Sequence, residues 1–161
     1  MSIPTATRFR SAMRLLPTSV VVAAGLSPTG EPVGMLLGSF TSVSLDPLLV
    51  GFLGDNNSTT LPALLALDYW TFSVLADDDD LTPDAFRLPQ SERFDKVKWS
   101  ITPYNTPAID NAALTIHTRN HSTLPAGDHR LVLAEVLDTT IPDTARSPMI
   151  HVHGRMTRLA P

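Results

Sequence analysis

Two glycines stand four residues apart in the apolar run Gly34-Met35-Leu36-Leu37-Gly38, just ahead of the hydroxyl-rich Ser39-Phe40-Thr41-Ser42-Val43-Ser44. A glycine inside a strand forfeits packing and conformational entropy, so it marks a bulge or a close approach by another backbone or a ligand. The run then bends at Asp46-Pro47 and resumes as Leu48-Leu49-Val50. It therefore reads as two extended segments sharing a turn, with an edge against which something polar docks.

The rest of the composition narrows what that something is. With 161 residues, 43% hydrophobic and 17% charged, the chain can bury one continuous core, and residues 1–161 read as a single domain. There is no cysteine, hence no disulfide, thiolate nucleophile or Cys-ligated metal centre. A net charge of −4 speaks against a nucleic-acid partner, which calls for a basic face. No apolar run reaches the length of a membrane span, and residues 1–8 lack the apolar core of a signal peptide, so the cytoplasm is the expected compartment. Asp77-Asp78-Asp79-Asp80 is expected to be a solvated loop, because four consecutive carboxylates cannot converge on one ion.

Taken in order, Phe9, Ala12, Met13, Leu15 and Leu16 have helical spacing behind Thr7 as N-cap, and Pro17 stops the helix. Val20–Ala24 is a strand, and the turn residues Ser27–Pro32 return it as a hairpin with Val33–Gly38. Strands at Thr41–Leu45 and Leu48–Leu53 lead to a helix near Pro62, for which Ser58, Thr59 or Thr60 can provide the cap. Free N–H groups at such a helix start make an anion site, although a plain cap is the simpler account. Trp70, Phe72 and Val74 alternate with Thr71 and Ser73 as a half-buried strand, and short helices follow at Leu81–Leu88 and Ser91–Lys98. Ile101–Asn111 is expected to be irregular. Leu114–His121 and His129–Leu137 are strands around the turn Pro125–Asp128, and Met149–His153 and Gly154–Leu159 close the chain. Many short strands without βαβ alternation predict a mainly β fold, an antiparallel barrel with short peripheral helices.

Among titratable groups, His151 and His153 form an H-x-H pair that a strand would place on one face, yet no third metal ligand is evident. No metal site is expected. His117 and His121 read as surface residues, as do Arg14, Arg93 and Arg155. His129 differs, because Gly127-Asp128 would deliver its ring to a barrel rim. Gly-x-Ser-x-Gly, Gly-x-Gly-x-x-Gly and Walker patterns are all missing.

The block from Gly34-Met35 through Ser39-Phe40-Thr41-Ser42-Val43-Ser44-Leu45-Asp46-Pro47 resembles the motif of the short-chain flavin reductase family, the reductase components of two-component flavin monooxygenases. The resemblance continues collinearly through Phe9–Met13, Ser58–Pro62, Glu92-Arg93-Phe94, Ala126–His129, Leu133–Val136 and His153-Gly154-Arg155. It implies a split-barrel homodimer that binds FMN or FAD and takes hydride from NADH or NADPH, with a flavin-dependent monooxygenase as partner. By the same resemblance the flavin lies along Met35, Leu36, Leu37, Gly38, Ser39 and Ser42, its phosphate meets Ser58, Thr59 and Thr60, and His129 lies near the nicotinamide. Leu36 and Gly38 stand where the family usually carries Thr and Asn, and Ser19 where it carries Gly. Loss of two polar partners predicts flavin binding weaker by about 1–3 kcal/mol, with backbone groups unaffected. The alternatives are a non-enzymatic split-barrel protein holding flavin or haem for storage, sensing or assembly, and a metal enzyme using His151 and His153.

Overall fold

The β-branched and apolar runs separated by Gly, Pro, Asn and Asp fold as expected into strands, mostly short, with Leu114–Ala126 and His129–Thr140 the long ones at 13 and 12 residues. The computed structural model describes residues 5–159. In chain order these form α1 (Ala6–Met13), β1 (Thr18–Ser19), β2 (Val21–Leu26), β3 (Pro32–Leu37), β4 (Thr41–Leu45), β5 (Leu48–Asp55), α2 (Leu61–Leu65) and β6 (Tyr69–Val74). Then come α3 (Thr82–Ala85), 3-10 turns at Gln90–Glu92 and Phe94–Lys96, β7 (Trp99–Ile101), β8 (Pro107–Ile109), β9 (Leu114–Ala126), β10 (His129–Thr140), β11 (Ile150–Val152) and β12 (Arg155–Thr157).

Seven strands make one antiparallel sheet in the order β3-β2-β6-β9-β10-β5-β4. Its two edge strands, β3 and β4, are neighbours in sequence but do not pair with each other, which leaves the barrel split along that seam. The inner face buries Val21, Phe52, Trp70, Phe72, Val132 and Ala134. Phe40, from the β3–β4 link, closes over this interior with its ring centroid 4.8 Å from that of Phe72. The seam is held by aromatic packing in place of a hydrogen-bonded ladder. A second cluster, with Val20, Val22, Leu75, Phe86, Phe94 and Ile109, fills the opposite face of β2. The small sheet β1-β11-β12 lies at the chain ends.

Several local expectations change: the helices expected at Leu81–Leu88 and Ser91–Lys98 shrink to α3 and two 3-10 turns, and Pro125 and Ala126 belong to β9 and not to the turn. The cap of α1 is Thr5, whose side chain accepts from the Arg8 N–H, so the helix starts one residue after it and stops at Met13. β6 is buried on both faces, because the segment expected to be irregular folds as the β7–β8 hairpin and covers it. Thr71 bonds the Thr106 hydroxyl, and Ser73 Oγ accepts from the Ile109 N–H at 3.0 Å. His117 is not on the surface: its ring stacks on Tyr104 with centroids 4.7 Å apart, and its Nε2 lies 3.1 Å from the Thr140 hydroxyl. Burial holds its pKa below the ordinary histidine value, with the Asp138 charge acting weakly the other way. Finally, His153 sits at φ +55° in the β11–β12 turn, so it does not share a strand face with His151. The acidic run is a loop, within which Asp78 pairs with Arg146 at 2.6 Å and Asp79 caps the Thr82 N–H at 3.0 Å.

Candidate functional site

β3 offers its chemistry along an edge. On one side it pairs with β2, Gly34 lying opposite Ala24 and Leu36 opposite Val22. On the other side Gly34 donates its N–H to Gln90 Oε1 at 3.5 Å, and its carbonyl accepts from Arg93 Nη1 at 2.8 Å. In an antiparallel strand the N–H and C=O of one residue point the same way, and the direction alternates. Leu36, two residues on, therefore presents both groups to the same outer edge, and no protein group among the described residues bonds them. An unpaired N–H and C=O side by side are a template for a ligand with a matching donor and acceptor.

The two glycines turn out to differ. A Cβ on Gly34 would lie 2.8 Å from the Phe94 ring and 2.9 Å from the Ala23 carbonyl, so this glycine makes room for the protein itself. A Cβ on Gly38 would meet only the Thr18 hydroxyl, at 3.4 Å. Beside Gly38 opens a cavity of about 180 Å³, lined also by Ser19, Leu36, Leu37, His151 and Met156. Of the close approaches that a strand glycine allows, Gly34 makes one with the protein's own backbone and Phe94 ring, and only Gly38 has open space beside it.

The remaining candidates fall into place around this edge. Met35 and Leu36 are half-buried, while the Leu37 side chain lies in the core at 4% exposure and leaves only its backbone available. Ser39 Oγ donates to the Leu53 carbonyl (3.1 Å) and accepts from the Leu53 N–H (3.0 Å), carrying the β4–β5 pairing past Thr41 into the β3–β4 link. Ser42 is exposed on β4, opposite Val50.

From Leu53, β5 leads to the loop before α2. Ser58 Oγ accepts from the Leu61 N–H at 3.1 Å, from two residues ahead of the N-cap Thr60, whose own side chain makes no cap bond. Thr60 is buried, and its hydroxyl accepts from Arg93 Nη1 at 3.0 Å. The Thr59 and Thr60 N–H groups have no acceptor among the described residues. Because α2 has five residues, aligned peptide dipoles add little here, and the capacity for an anion rests on those two N–H groups and the exposed Thr59 hydroxyl.

His129 opens β10 directly across from Asp55, two residues from the Leu131–Leu53 pair. The preceding turn, with Gly127 at φ +69°, is locked to the β5 end: the Asn56 N–H donates to the Asp128 carbonyl at 3.0 Å and Arg130 Nε to Asn56 Oδ1 at 3.2 Å. His129 Nδ1 lies 2.7 Å from Asp128 Oδ1, which holds the Asp128 carboxyl below the usual range. A cleft of about 330 Å³, lined by Asn56, Thr123, Pro125, Gly127, His129 and Arg130, opens beside the ring. β5 thus joins the Leu36–Ser39 edge, the Ser58–Thr60 loop and His129 into one band.

Two participants were not foreseen. Arg93, expected to be a surface residue, is half-buried and donates to Leu88, Gly34, Gln90 and Thr60, with no carboxylate partner; burial lowers its pKa. Its signal was the block Glu92-Arg93-Phe94, though nothing in sequence says what the guanidinium reaches. Gln90 carried no signal. The metal reading loses its basis, since His151 and His153 do not share a face, and among the described residues no group of three or more His, Asp and Glu is close enough to hold an ion. No helix among them is long and apolar enough to cross a membrane.

Comparison with known proteins places this geometry. Residues 13–160 match the family described as flavin reductase like domain. A flavin reductase of Pseudomonas putida is 32% identical over 83% of this chain and 78% of its own length. The reductase component of a flavin-dependent trigonelline monooxygenase of Acinetobacter baylyi is 27% identical over 81% of this chain, which spans 42% of that protein. The structure of a Streptomyces globisporus NADH:FAD oxidoreductase, in complex with NAD and FAD fragments, superposes with a TM-score of 0.90 at 30% identity, covering 100% of this chain and 98% of that one. The chain belongs to the flavin reductase-like family of mainly β, split-barrel proteins.

Proposed function

We propose that the protein is an NAD(P)H:flavin oxidoreductase that reduces FMN or FAD and supplies it to a partner monooxygenase. The carrying observation is the free N–H and C=O of Leu36 beside the side-chain-free Gly38. One edge of a flavin ring offers a donor flanked by acceptors, which is what an open strand edge pairs with. The residues present therefore fit the group, and backbone pairing explains how they fit it with Leu and Gly where Thr and Asn are usual. When bound, the flavin supplies the hydride acceptor for the nicotinamide. The chain holds the ring along β3, keeps it against the Ser39–Leu53 bonds, and offers the Thr59 and Thr60 N–H groups to its phosphate. Asp128 engages His129 Nδ1 and so fixes the ring, leaving Nε2 to orient the nicotinamide across the band.

In this reading residues 1–161 are one domain, working in the cytoplasm as a homodimer. Support for the dimer comes from the band itself, where Leu53, Leu131 and Leu124 lie in register across β5, β10 and β9. Leu53 is 44% and Leu124 48% exposed, an apolar row that a second copy would cover. The storage or haem alternative, raised by Leu36, Gly38, His151 and His153, is not favoured: His153 lies in the turn after β11 and does not share a strand face with His151, and the open Leu36 edge beside Gly38 suits a flavin.

The test mixes purified protein with NADH or NADPH and free FMN or FAD. Flavin-dependent oxidation of the nucleotide is expected in at least one pairing, and none in any pairing overturns the activity. Sedimentation should give twice the chain mass; a monomer at micromolar concentration would remove the dimer.

A further inference from the structure

Arg93 gives up the usual advantage of a cation, a carboxylate partner, and spends its donors on neutral oxygens from three separate segments. Nη1 reaches the Gly34 carbonyl on β3 (2.8 Å), the Thr60 hydroxyl before α2 (3.0 Å) and Gln90 Oε1 (3.1 Å), while Nε holds the Leu88 carbonyl at 2.9 Å. Gln90 in turn donates from Nε2 to the Pro32 carbonyl at 3.1 Å and accepts from the Gly34 N–H at 3.5 Å. The pair seals the outer edge of β3 from Pro32 to Gly34 and stops there. Phe94, the next residue after Arg93, fills the space over Gly34.

Two consequences follow from this placement. First, Leu36 becomes the first open position on the edge, so the clamp sets how far along β3 a ligand can slide. Second, Arg93 ties β3 to the Thr59-Thr60 loop, which sets the distance between the edge and the N–H pair. A planar ring with a phosphate on a flexible tether would otherwise meet two segments free to move apart. Charge-assisted bonds are the stronger kind, and a rigid planar fork loses less entropy per bond than a lysine would.

We propose that Arg93, with Gln90, is a positioning clamp for the flavin: it fixes the register of the ring on β3 and the spacing from the ring edge to the phosphate-binding loop. The inference rests on the proposed flavin binding at this band.

The test compares the full-length protein with Arg93→Gln, Arg93→Lys and Gln90→Ala, following FMN affinity by fluorescence, kcat and both KM values, and thermal stability. Arg93→Gln is expected to raise the flavin KM and Kd about tenfold, with kcat at saturating flavin and the nicotinamide KM within about twofold. Arg93→Lys should recover part of the affinity, since an ammonium reaches fewer of the acceptors at once. Gln90→Ala, which leaves the Arg93–Thr60 bond in place, should raise the Kd about threefold. A second readout needs no flavin: amide exchange at Gly34, Leu61 and Leu64, whose N–H groups are bonded to Gln90, Ser58 and Thr60, should quicken in Arg93→Gln. Unchanged flavin Kd in a folded Arg93→Gln overturns the clamp, as does a fall in kcat with the KM intact. If Arg93→Gln does not fold, an unchanged Kd in Gln90→Ala overturns it. Wild-type protein that binds no flavin overturns the function itself, and the exchange rates then report separately whether Arg93 ties the two segments.

Discussion

Gly34 and Gly38 lie four residues apart on the same run, yet an added methyl would press on the Phe94 ring at the first and meet a hydroxyl at ordinary contact distance at the second. The histidines divide the same way along β9 and β10. His117 is closed in between Tyr104 and Thr140, whereas His129 stands at the rim with its side chain 38% exposed. One region is covered on both faces by the β7–β8 hairpin and the Phe86–Phe94 cluster; the other is left open along β3, β5 and the start of β10. Residue type alone therefore does not separate structure from function here. What lies on the far side of each residue does.

The contrast makes graded predictions. Phe94→Ala, which empties a site shared with Phe86 and Trp99, should cost about 3–5 kcal/mol by thermal or urea unfolding. A smaller loss would mean that the covered region can collapse around the gap. Gly34→Ala should cost about 1–3 kcal/mol, because the ring and the Ala23 carbonyl must shift; an affinity change without a stability change would return Gly34 to the ligand side. His129→Ala should lower kcat by about tenfold, worth about 1.4 kcal/mol, with flavin Kd little changed. Equal turnover would move the nicotinamide elsewhere. Gly38→Asn should leave stability within about 0.5 kcal/mol and tighten flavin binding by about 0.5–1.5 kcal/mol. Weaker binding would show that the open space is needed by the ring itself.

The gentlest effect concerns pH. Burial lowers the pKa of His117 in the folded state below that of the unfolded chain. Below the unfolded value of about 6.5 the unfolded chain binds the extra proton, so stability falls as pH drops, until the folded pKa is passed. His117→Gln should flatten that acid limb in unfolding curves taken at successive pH values. An unchanged slope would assign it to other groups.

Much of this was readable in the chain. Alternation of apolar and polar residues, with Gly, Pro and Asn punctuation, located the strands, and the Gly127-Asp128 turn placed His129 at a strand start. The cap of α1, the burial of Thr71 and Ser73, and the β7–β8 hairpin were not readable. Each depends on a partner distant in sequence, as Thr106 and Ile109 are from β6. Leu37 was named with its neighbours as a ligand contact, because local sequence does not say which face of β3 is the core.

The sequence by itself determined the class of fold and the family, because hydrophobic period and turn chemistry are local and the Gly34–Pro47 block is a contiguous motif. Only the tertiary structure decided that Gly34 answers to Phe94 and Gly38 to open space, and that Arg93 joins β3 to Thr60. Those facts are distances between segments far apart in the chain. Packing, which is non-local, is what sets them.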